Sequence, residues 1–266
     1  MAVSVGAFYH PHLARETLDL AGFIEHLALA DPPRADDPLF LRIRSRFTLL
    51  LHDFLGQLSE PIADSALDRA RRLVALYDPP WAAEHLQRVH TTSGDAFVDY
   101  DFPPVYTDDL LADYVRNARA LQAALDRPLV LEPIPTYLRL DVPQLDEATF
   151  VERFLAESGC GLLLDVSHAW LSAHYAGGSA RDFVASLPLD RVIELHVAGV
   201  EVDRDLGGPW IGTAVPTREL LDLVAFAVER ASCLRAVTFD AFSSAMTADV
   251  LRAGVLAIRN HLGLAA

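Results

Sequence analysis

The stretch Gly161-Leu162-Leu163-Leu164-Asp165 is a short apolar run that stops at a carboxylate. Apolar runs of this length predict buried strands when turn residues bound them. Five further runs stop in the same way, at a histidine or an acidic residue: residues 47–52, 81–85, 129–132, 192–196 and 236–240. Segments of helical period lie between them, and this alternation is typical of repeated strand–helix units around a parallel sheet.

The whole chain extends this pattern to eight strands. They are predicted at residues 2–8, 22–28, 47–51, 81–84, 128–131, 161–164, 191–195 and 235–239. Helices are predicted at residues 62–77, 107–125, 149–157, 217–230 and 248–262. Eight strands with outer helices indicate an α/β protein with a (β/α)8 TIM barrel, in a single domain over residues 1–266. An open doubly wound sheet is the alternative, but no Gly-rich phosphate turn follows the first strand. Residues 200–216 lack clear periodicity and are predicted to form a mobile active-site loop.

Composition excludes several classes of function. The 266 residues carry a formal charge of −15, which disfavours nucleic acid and membrane surfaces as partners. All 22 basic residues are arginine, so no lysine is present for Schiff-base chemistry or a P-loop. Two cysteines exclude a disulfide framework and a thiolate zinc cluster. The N-terminal residues do not resemble a signal peptide, and no window resembles a membrane span, so a cytoplasmic protein is expected.

The polar residues that end the strands are the candidate functional site. In a parallel barrel the carboxyl ends of all strands open at one mouth, so these side chains should converge. They are three histidines and three carboxylates: His52, His85, Glu132, Asp165, His196 and Asp240. Imidazole and carboxylate ligands together suit iron, manganese or zinc, and carboxylates can bridge two ions. The pattern therefore predicts a metal site at the barrel mouth.

The residues around these positions resemble a known family. The segments are Cys160-Gly161-Leu162-Leu163-Leu164-Asp165-Val166, Glu194-Leu195-His196-Val197-Ala198-Gly199, Arg127-Pro128-Leu129-Val130-Leu131-Glu132 with Tyr137-Leu138, and Asp78-Pro79-Pro80-Trp81 leading to Glu84-His85-Leu86. Together they resemble the multinuclear non-haem iron-dependent oxidative enzymes, the family of MbnB and TglH in peptide natural-product biosynthesis. The resemblance runs through nearly the whole chain.

The resemblance implies a xylose-isomerase-like barrel that holds two or three iron ions. Carried over by motif, His52, His85 and Glu132 would hold one iron. Glu132 as a bridge, with Asp165, His196 and Asp240, would hold the other, although the family usually has Glu at the position of Asp240. Family members use a mixed-valence iron pair and dioxygen to modify a residue of a substrate peptide, often a cysteine. A small partner protein commonly delivers that peptide.

The sequence departs from the family on one side of the site. The family's His-x-x-Gly-His signature ends here in Val200, and its Asp-Thr-His-Gly segment corresponds to Pro209-Trp210-Ile211-Gly212. Because these side chains cannot bind a hard cation, the third iron position is expected to be absent. Pro133 replaces the Asn that usually follows the bridging Glu, and Ser167-His168 replaces an Asn-Asn pair.

His168, Glu84 and Glu194 are the candidate catalytic groups, and Glu25 is an alternative to Glu84. His168 follows the sixth strand and could replace a ligand or act as a general base. Glu84 or Glu25 could orient a ligand imidazole. Glu194 lies two residues before His196, so both should face the barrel interior, where Glu194 could bond a ligand or pair with an arginine.

Three functions compete at this point. The first is an iron- and dioxygen-dependent oxidoreductase that acts on a peptide or a related small molecule through a dinuclear site. The second is a non-redox isomerase or hydrolase that uses its metals as Lewis acids. The third is a diverged, non-catalytic member of the family that binds a partner.

Overall fold

The computed structural model describes residues 3–30, 33–34, 36–55, 58–90, 97–142, 144–203, 207–241 and 243–264. Its strands are β1 (Ser4–Phe8), β2 (His26–Leu29), β3 (Thr48–His52), β4 (Ala82–Leu86), β5 (Arg88–His90), β6 (Phe97–Phe102), β7 (Leu129–Pro133), β8 (Gly161–Asp165), β9 (Val192–Val197), β10 (Gly199–Asp203), β11 (Gly208–Gly212) and β12 (Ala236–Phe239). Its α-helices are α1 (Ala14–Asp19), α2 (Pro38–Arg44), α3 (Asp64–Tyr77), α4 (Asp108–Leu125), α5 (Glu147–Ser158), α6 (Val166–Tyr175), α7 (Ala180–Ser186), α8 (Arg218–Val228) and α9 (Ala248–His261).

Eight strands close into one barrel in the order β1-β12-β9-β8-β7-β4-β3-β2. Every pairing in the barrel is parallel. The prediction of a TIM barrel is therefore confirmed, and all eight predicted strands are present. The second strand is shorter than predicted: it begins at His26, because the chain is still turning at Gly22 and Phe23.

The helices follow the strands and cover the barrel. The five predicted helices are present, with ends that differ by a few residues. Side chains cap them where the sequence offers an acceptor: Thr107 accepts a hydrogen bond from the Leu110 amide at the start of α4, as expected for an N-cap threonine. Four further helices, α1, α2, α6 and α7, are not among those predicted. Three of them are seven residues or shorter, too short to show a helical period.

Two hairpins project beyond the barrel strands. β5 and β6 pair antiparallel between β4 and α4, and β10 and β11 pair antiparallel between β9 and α8. The described part of residues 200–216, for which the sequence predicts a mobile active-site loop, thus contains most of the β10–β11 hairpin, and its mobility stays a prediction. Gly199, Gly208, Pro209 and Gly212 interrupt the apolar alternation by which a strand is recognised from sequence.

The barrel interior is built in layers, because alternate residues of each strand face inward. One layer contains a compact apolar group of Leu50, Trp81, Ala83, Val130, Leu163 and Ala236. The residues two positions further along several of these strands form the next layer, at the carboxyl ends. That layer is polar.

Candidate metal centre

Seven polar side chains meet at the carboxyl ends of the barrel strands. His52 and Asp165 are the last residues of β3 and β8, His85, Glu132 and His196 lie near the ends of β4, β7 and β9, Asp240 follows β12, and His168 lies in the first turn of α6. We call this group the mouth cluster. It contains all six predicted ligands, because the parallel barrel brings every strand end to one side.

Three atoms of the mouth cluster form a tight triangle. His52 Nε2 lies 3.0 Å from His85 Nε2. Glu132 Oε2 lies 3.4 Å from His52 Nε2 and 3.3 Å from His85 Nε2. Ligands of one ion at bonds of about 2.1 Å stand about 3 Å apart at right angles. The triangle therefore has the spacing of three donors to one cation.

A second group of donors shares Glu132. Ligand atoms of Glu132, Asp165, His196 and Asp240 all lie within 4.8 Å of one another, and so do those of His52, Glu132 and His196. His196 Nδ1 lies 3.1 Å from Asp240 Oδ2 and 3.8 Å from Glu132 Oε2. Glu132 thus stands between two sets of donors, the place that a bridging carboxylate would take.

Asp165 is held in place by the helix that it begins. Its Oδ1 accepts hydrogen bonds from the amides of Ser167 and His168, at 2.5 and 3.0 Å, as an N-cap aspartate does. This leaves Oδ2 directed at the cluster. Because helix α6 follows β8 without a connecting loop, it also fixes His168 beside the site.

His168 contacts Glu132 from the helix side. Its Nδ1 lies 3.2 Å from Glu132 Oε1 and 3.3 Å from the Pro133 carbonyl oxygen, and its Nε2 lies 3.9 Å from Asp165 Oδ2. The imidazole is therefore a seventh member of the cluster, on a helix and not in a loop.

Two residues that no sequence pattern singles out hold His85. Gln87 Oε1 lies 2.9 Å from His85 Nδ1, and Gln87 Nε2 donates to Asp53 Oδ1 at 3.2 Å. Asp53 follows His52 with a left-handed backbone, at φ 46°, a conformation that is costly outside glycine and often marks functional sites. Gln87 follows the end of β4, and its only sequence signal is its place two residues after His85, because residues two apart in an extended chain point to the same side.

The mouth cluster contains polar atoms that the protein does not satisfy. Glu132 and Asp165 are buried. Within the described part of the chain, both oxygens of Glu132, Asp165 Oδ2 and His52 Nδ1 have no hydrogen-bond partner. Buried polar atoms are usually paired, and leaving them unpaired costs about 1–3 kcal/mol each. Unpaired carboxylate oxygens that face imidazole nitrogens are the donors that a cation would satisfy, so the residues present fit a metal.

The electrostatics of the cluster are those of crowded opposite charges. Burial raises the pKa of Glu132, but the neighbouring charges of His196 and His85 outweigh it and hold that pKa well below its usual range. Burial lowers the pKa of His168, but the charges of Asp165 and Glu132 raise it to about 9. Burial lowers the pKa of His52 to about 4. Glu132 is therefore charged at neutral pH. Protonated imidazoles such as His168 supply the positive charge beside it that a bound cation would supply instead.

The candidate catalytic glutamates lie in different places. Glu194 is buried in the barrel below the cluster, where its Oε1 lies 3.0 Å from His196 Nε2 and its Oε2 accepts a hydrogen bond from Trp81. Its described partners are thus His196, Trp81 and Thr238, not an arginine. Glu84 accepts hydrogen bonds from the amides of Phe54 and Leu55. These bonds shape the loop after β3. Glu84 and His85 are neighbours on β4 and face opposite sides of the strand, so the orienting role of Glu84 stays a prediction.

Glu25 does not belong to the mouth at all. It precedes β2, at the amino end of the barrel, where it accepts a hydrogen bond from the Val5 amide and pairs with Arg259. The suggestion that it orients a ligand is therefore wrong. The error arises from placing the start of β2 too early.

Aromatic rings join the segment after β7 to helix α6 and strand β11. Tyr137, in the segment after β7, stacks on Trp210 of β11 at 4.5 Å between ring centroids and lies edge-on to Tyr175 of α6. Tyr175 also donates to the Pro209 carbonyl oxygen. Leu138, beside this group, is 75% exposed. The rings form one wall, with apolar surface that a bound substrate could contact.

No helix within the described ranges is long and apolar enough to cross a membrane.

Comparison with protein families gives one match that covers most of the chain. The family model described as RiPP precursor modification enzyme MbnB/TglH/ChrH matches residues 19–237. A UPF0276 protein of Paraburkholderia phytofirmans is 32% identical over 208 residues, which are 75% of this chain and 66% of the relative. A UPF0276 protein of Caulobacter vibrioides is 34% identical over 169 residues, 62% of this chain and 59% of the relative. The chain thus spans about three fifths to two thirds of the length of these relatives.

Solved structures show the same fold at low identity. A xylose isomerase-like TIM barrel protein from Mycobacterium smegmatis in complex with magnesium superposes with a TM-score of 0.65 at 13% identity, over 100% of both chains. A D-psicose 3-epimerase in the presence of D-fructose gives 0.59 at 14% identity, over 98% of this chain and 97% of that one. These likenesses show that the barrel is xylose isomerase-like.

Proposed function

The chain belongs to the RiPP precursor modification enzyme family MbnB/TglH/ChrH, and on this basis we propose that it oxidises a residue of a substrate peptide, with iron as cofactor and dioxygen as co-substrate. A cysteine of the peptide, or a related small molecule, is the expected site of reaction. The oxidoreductase would act through a dinuclear site at the barrel mouth.

One observation carries this proposal: buried carboxylate oxygens that accept no hydrogen bond within the described residues lie among imidazoles at the mouth. Imidazole with carboxylate is the ligand chemistry of non-haem iron. The donors can be divided into two sets that share Glu132, an arrangement that suits a pair of ions. His52, His85 and Glu132 would hold one ion, and Glu132, Asp165, His196 and Asp240 the other.

The side chains around these donors support the chemistry. When bound, iron would supply one-electron redox chemistry and a place for dioxygen to react. His168 is the group best placed to hold or move a proton, because its Nδ1 lies at Glu132 Oε1 and its pKa is raised to about 9. Tyr137, Trp210 and Tyr175 would pack on the substrate and keep water from the site.

The proposal is tested with peptides encoded by the reading frames that flank the gene. Protein purified without oxygen and loaded with Fe²⁺ is mixed with each peptide, with and without dioxygen, and the peptide mass is followed. A mass change on one peptide that needs both iron and dioxygen supports the proposal. His52→Ala, which removes one donor of the triangle, should abolish the change.

Two results would overturn it. A change of the peptide that proceeds with Mg²⁺ or Zn²⁺ in the absence of dioxygen would indicate Lewis-acid chemistry. No metal bound at all would leave a barrel that works by binding.

A small partner protein that delivers the peptide is a further prediction of this assignment. Pull-down with the peptide, with and without the proteins encoded beside the gene, measures whether such a partner is needed.

A further inference from the structure

A buried polar network lies directly below the mouth cluster. We propose that Glu194 is a positioning residue that makes His196 present Nδ1 to the mouth, and that Trp81 and Thr238 fix Glu194 for this task. The inference rests on the proposed metal site, because His196 is one of its donors. We call Glu194, Trp81, Thr238, His26 and Ser4 the lower network.

Glu194 is surrounded by donors. Trp81 Nε1 donates to Oε2 at 2.7 Å, and Thr238 Oγ1 donates to Oε1 at 2.7 Å. The indole N–H can only donate, so the oxygen that it meets must accept. Both oxygens of the carboxylate are thus held by groups from two other strands or their ends, and the side chain has no freedom to rotate.

The fixed carboxylate determines which nitrogen of His196 faces the mouth. Glu194 Oε1 lies 3.0 Å from His196 Nε2, and a carboxylate can only accept, so Nε2 carries the hydrogen of this bond. Nδ1 is then the nitrogen that remains for the mouth, where it lies 3.1 Å from Asp240 Oδ2. Carboxylates orient metal-binding histidines in this way.

The network continues from Thr238 through His26 to Ser4, at the amino end of the barrel. Because the Thr238 hydroxyl donates to Glu194, its oxygen can accept from His26 Nε2 at 2.9 Å. Ser4 Oγ lies 3.0 Å from His26 Nδ1 and also donates to the Arg235 carbonyl oxygen at 3.2 Å. The hydrogens of His26 Nε2 and of the Thr238 hydroxyl point toward Glu194, so this part of the network helps to fix the carboxylate.

Gly6 makes room for this arrangement. A Cβ at position 6 would lie 2.3 Å from the His26 ring and 2.5 Å from the His26 carbonyl oxygen. Because Gly6 has no side chain, the His26 imidazole can lie against the backbone of β1 inside the barrel.

The test compares Glu194→Gln with the double variant Trp81→Phe/Glu194→Gln. In Glu194→Gln, the amide oxygen can accept the hydrogen bonds from His196 and Thr238. The NH₂ group then faces the Trp81 N–H, and these two donors repel each other. Phenylalanine at position 81 removes that conflict. A general loss of stability would not produce such a rescue.

The probe is Co²⁺ alone, titrated into the metal-free protein and followed by its visible absorption. Loss of such a supporting partner typically weakens metal binding about 10- to 100-fold. We expect that loss, with a shifted spectrum, for Glu194→Gln, and recovery of most of the affinity in the double variant. Thr238→Val should weaken binding as well, while Thr238→Ser, which keeps the hydroxyl, should not.

Asn117→Ala is the matched control. Asn117 is also buried, but it donates to the carbonyl oxygens of Leu58 and Glu60, away from the cluster. It should lose stability and keep its Co²⁺ affinity. If Asn117→Ala weakens Co²⁺ binding as much as Glu194→Gln, the effect is general destabilisation and the inference is wrong.

The remaining outcomes separate this inference from the proposed function. Co²⁺ binding that Glu194→Gln and Thr238→Val both leave unchanged would overturn the positioning role alone. A double variant no better than Glu194→Gln would overturn the part assigned to Trp81. Absence of Co²⁺ binding to the unaltered protein would overturn the metal site, and the inference with it.

Discussion

The mouth cluster and the lower network are neighbours in the same barrel, and both are buried and polar. In the lower network the Glu194 carboxylate accepts from Trp81, Thr238 and His196 at 2.7 to 3.0 Å. In the mouth cluster both oxygens of Glu132 and one of Asp165 have no hydrogen-bond partner within the described residues. Buried carboxylates in the same barrel thus differ in their hydrogen bonds: those of Glu194 are complete, and those of Glu132 and Asp165 are not.

The difference distinguishes support from function. A buried carboxylate whose oxygens all accept hydrogen bonds can serve the fold, whereas carboxylate oxygens that face imidazoles without accepting a hydrogen bond keep lone pairs that a cation can take. The comparison therefore assigns metal binding to the mouth cluster, and the orientation of its ligand His196 to the lower network.

The largest expected effect is the stabilisation of the folded protein by bound metal, and Glu132→Gln should remove it. A ligand at 1,000 times its Kd stabilises the folded state by about 4.1 kcal/mol. We expect Fe²⁺ to raise the thermal midpoint of the unaltered protein, measured without oxygen, and not that of Glu132→Gln. Glu25→Gln, at the other end of the barrel, is the control and should keep the shift. If Fe²⁺ raises the thermal midpoint of Glu132→Gln equally, the mouth cluster does not bind the metal as proposed.

Gly6→Ala should break the lower network by steric conflict. Its Cβ would meet the His26 ring at 2.3 Å, so backbone or ring must move, and we expect a loss of about 3 kcal/mol. Gly22→Ala is the matched control, because its Cβ would meet no atom within 4 Å. Urea unfolding compares the two variants. Equal stability of both would show that β1 and β2 do not pack as described.

The lower network should also make the protein sensitive to acid. Burial lowers the pKa of His26 to about 4, despite the charge of Glu194 that opposes it, and the charges of His196 and Glu25 also act on the ring. The unfolded chain takes up the proton first as pH falls, so stability is present above about pH 6.5 and is lost as the pH falls from there to about 4.

At pH 5 this loss amounts to about 2 kcal/mol for one histidine. His26→Gln, which cannot titrate, should lose that much less stability between about pH 7 and pH 5 than the unaltered protein. His10 and His52 also have pKa values lowered to about 4 by burial, so a part of the slope must remain. An unchanged slope in His26→Gln would show that His26 takes up its proton normally in the folded protein.

The smallest effect is expected at the rim. Leu138 is 75% exposed, so Leu138→Ser should change the free energy of unfolding by less than about 0.5 kcal/mol and leave metal binding unchanged. Urea unfolding and Co²⁺ titration measure both. A loss above about 1 kcal/mol would show that this side chain packs on the wall of aromatic rings.

The sequence predicts the barrel and the mouth cluster because both depend on local patterns. A short apolar run that ends at His52 or Asp165 is visible without any structure, and parallel topology alone places those ends together. Helix α6 escapes prediction for a related reason: Asp165 ends the strand and caps the helix, so no connecting loop marks where the helix begins.

The lower network could not be predicted, because it depends on contacts between distant strands. Trp81 and Glu194 are 113 positions apart, and His26 and Thr238 are 212 apart. Alternation along β9 indicates that Glu194 faces inward with His196, but not that an indole meets it. Glu84 shows the opposite limit, because a residue next to His85 in sequence lies on the other side of the strand.

Metal content tests the central claim most directly. Protein purified without oxygen, loaded with Fe²⁺ and desalted is analysed for iron per chain, beside Asp165→Asn from the mouth cluster and Thr238→Ser from the lower network. The account predicts about two iron ions per chain in the unaltered protein and in Thr238→Ser, and a clear loss in Asp165→Asn. No stoichiometric iron in the unaltered protein, or iron that Asp165→Asn retains in full, would contradict it.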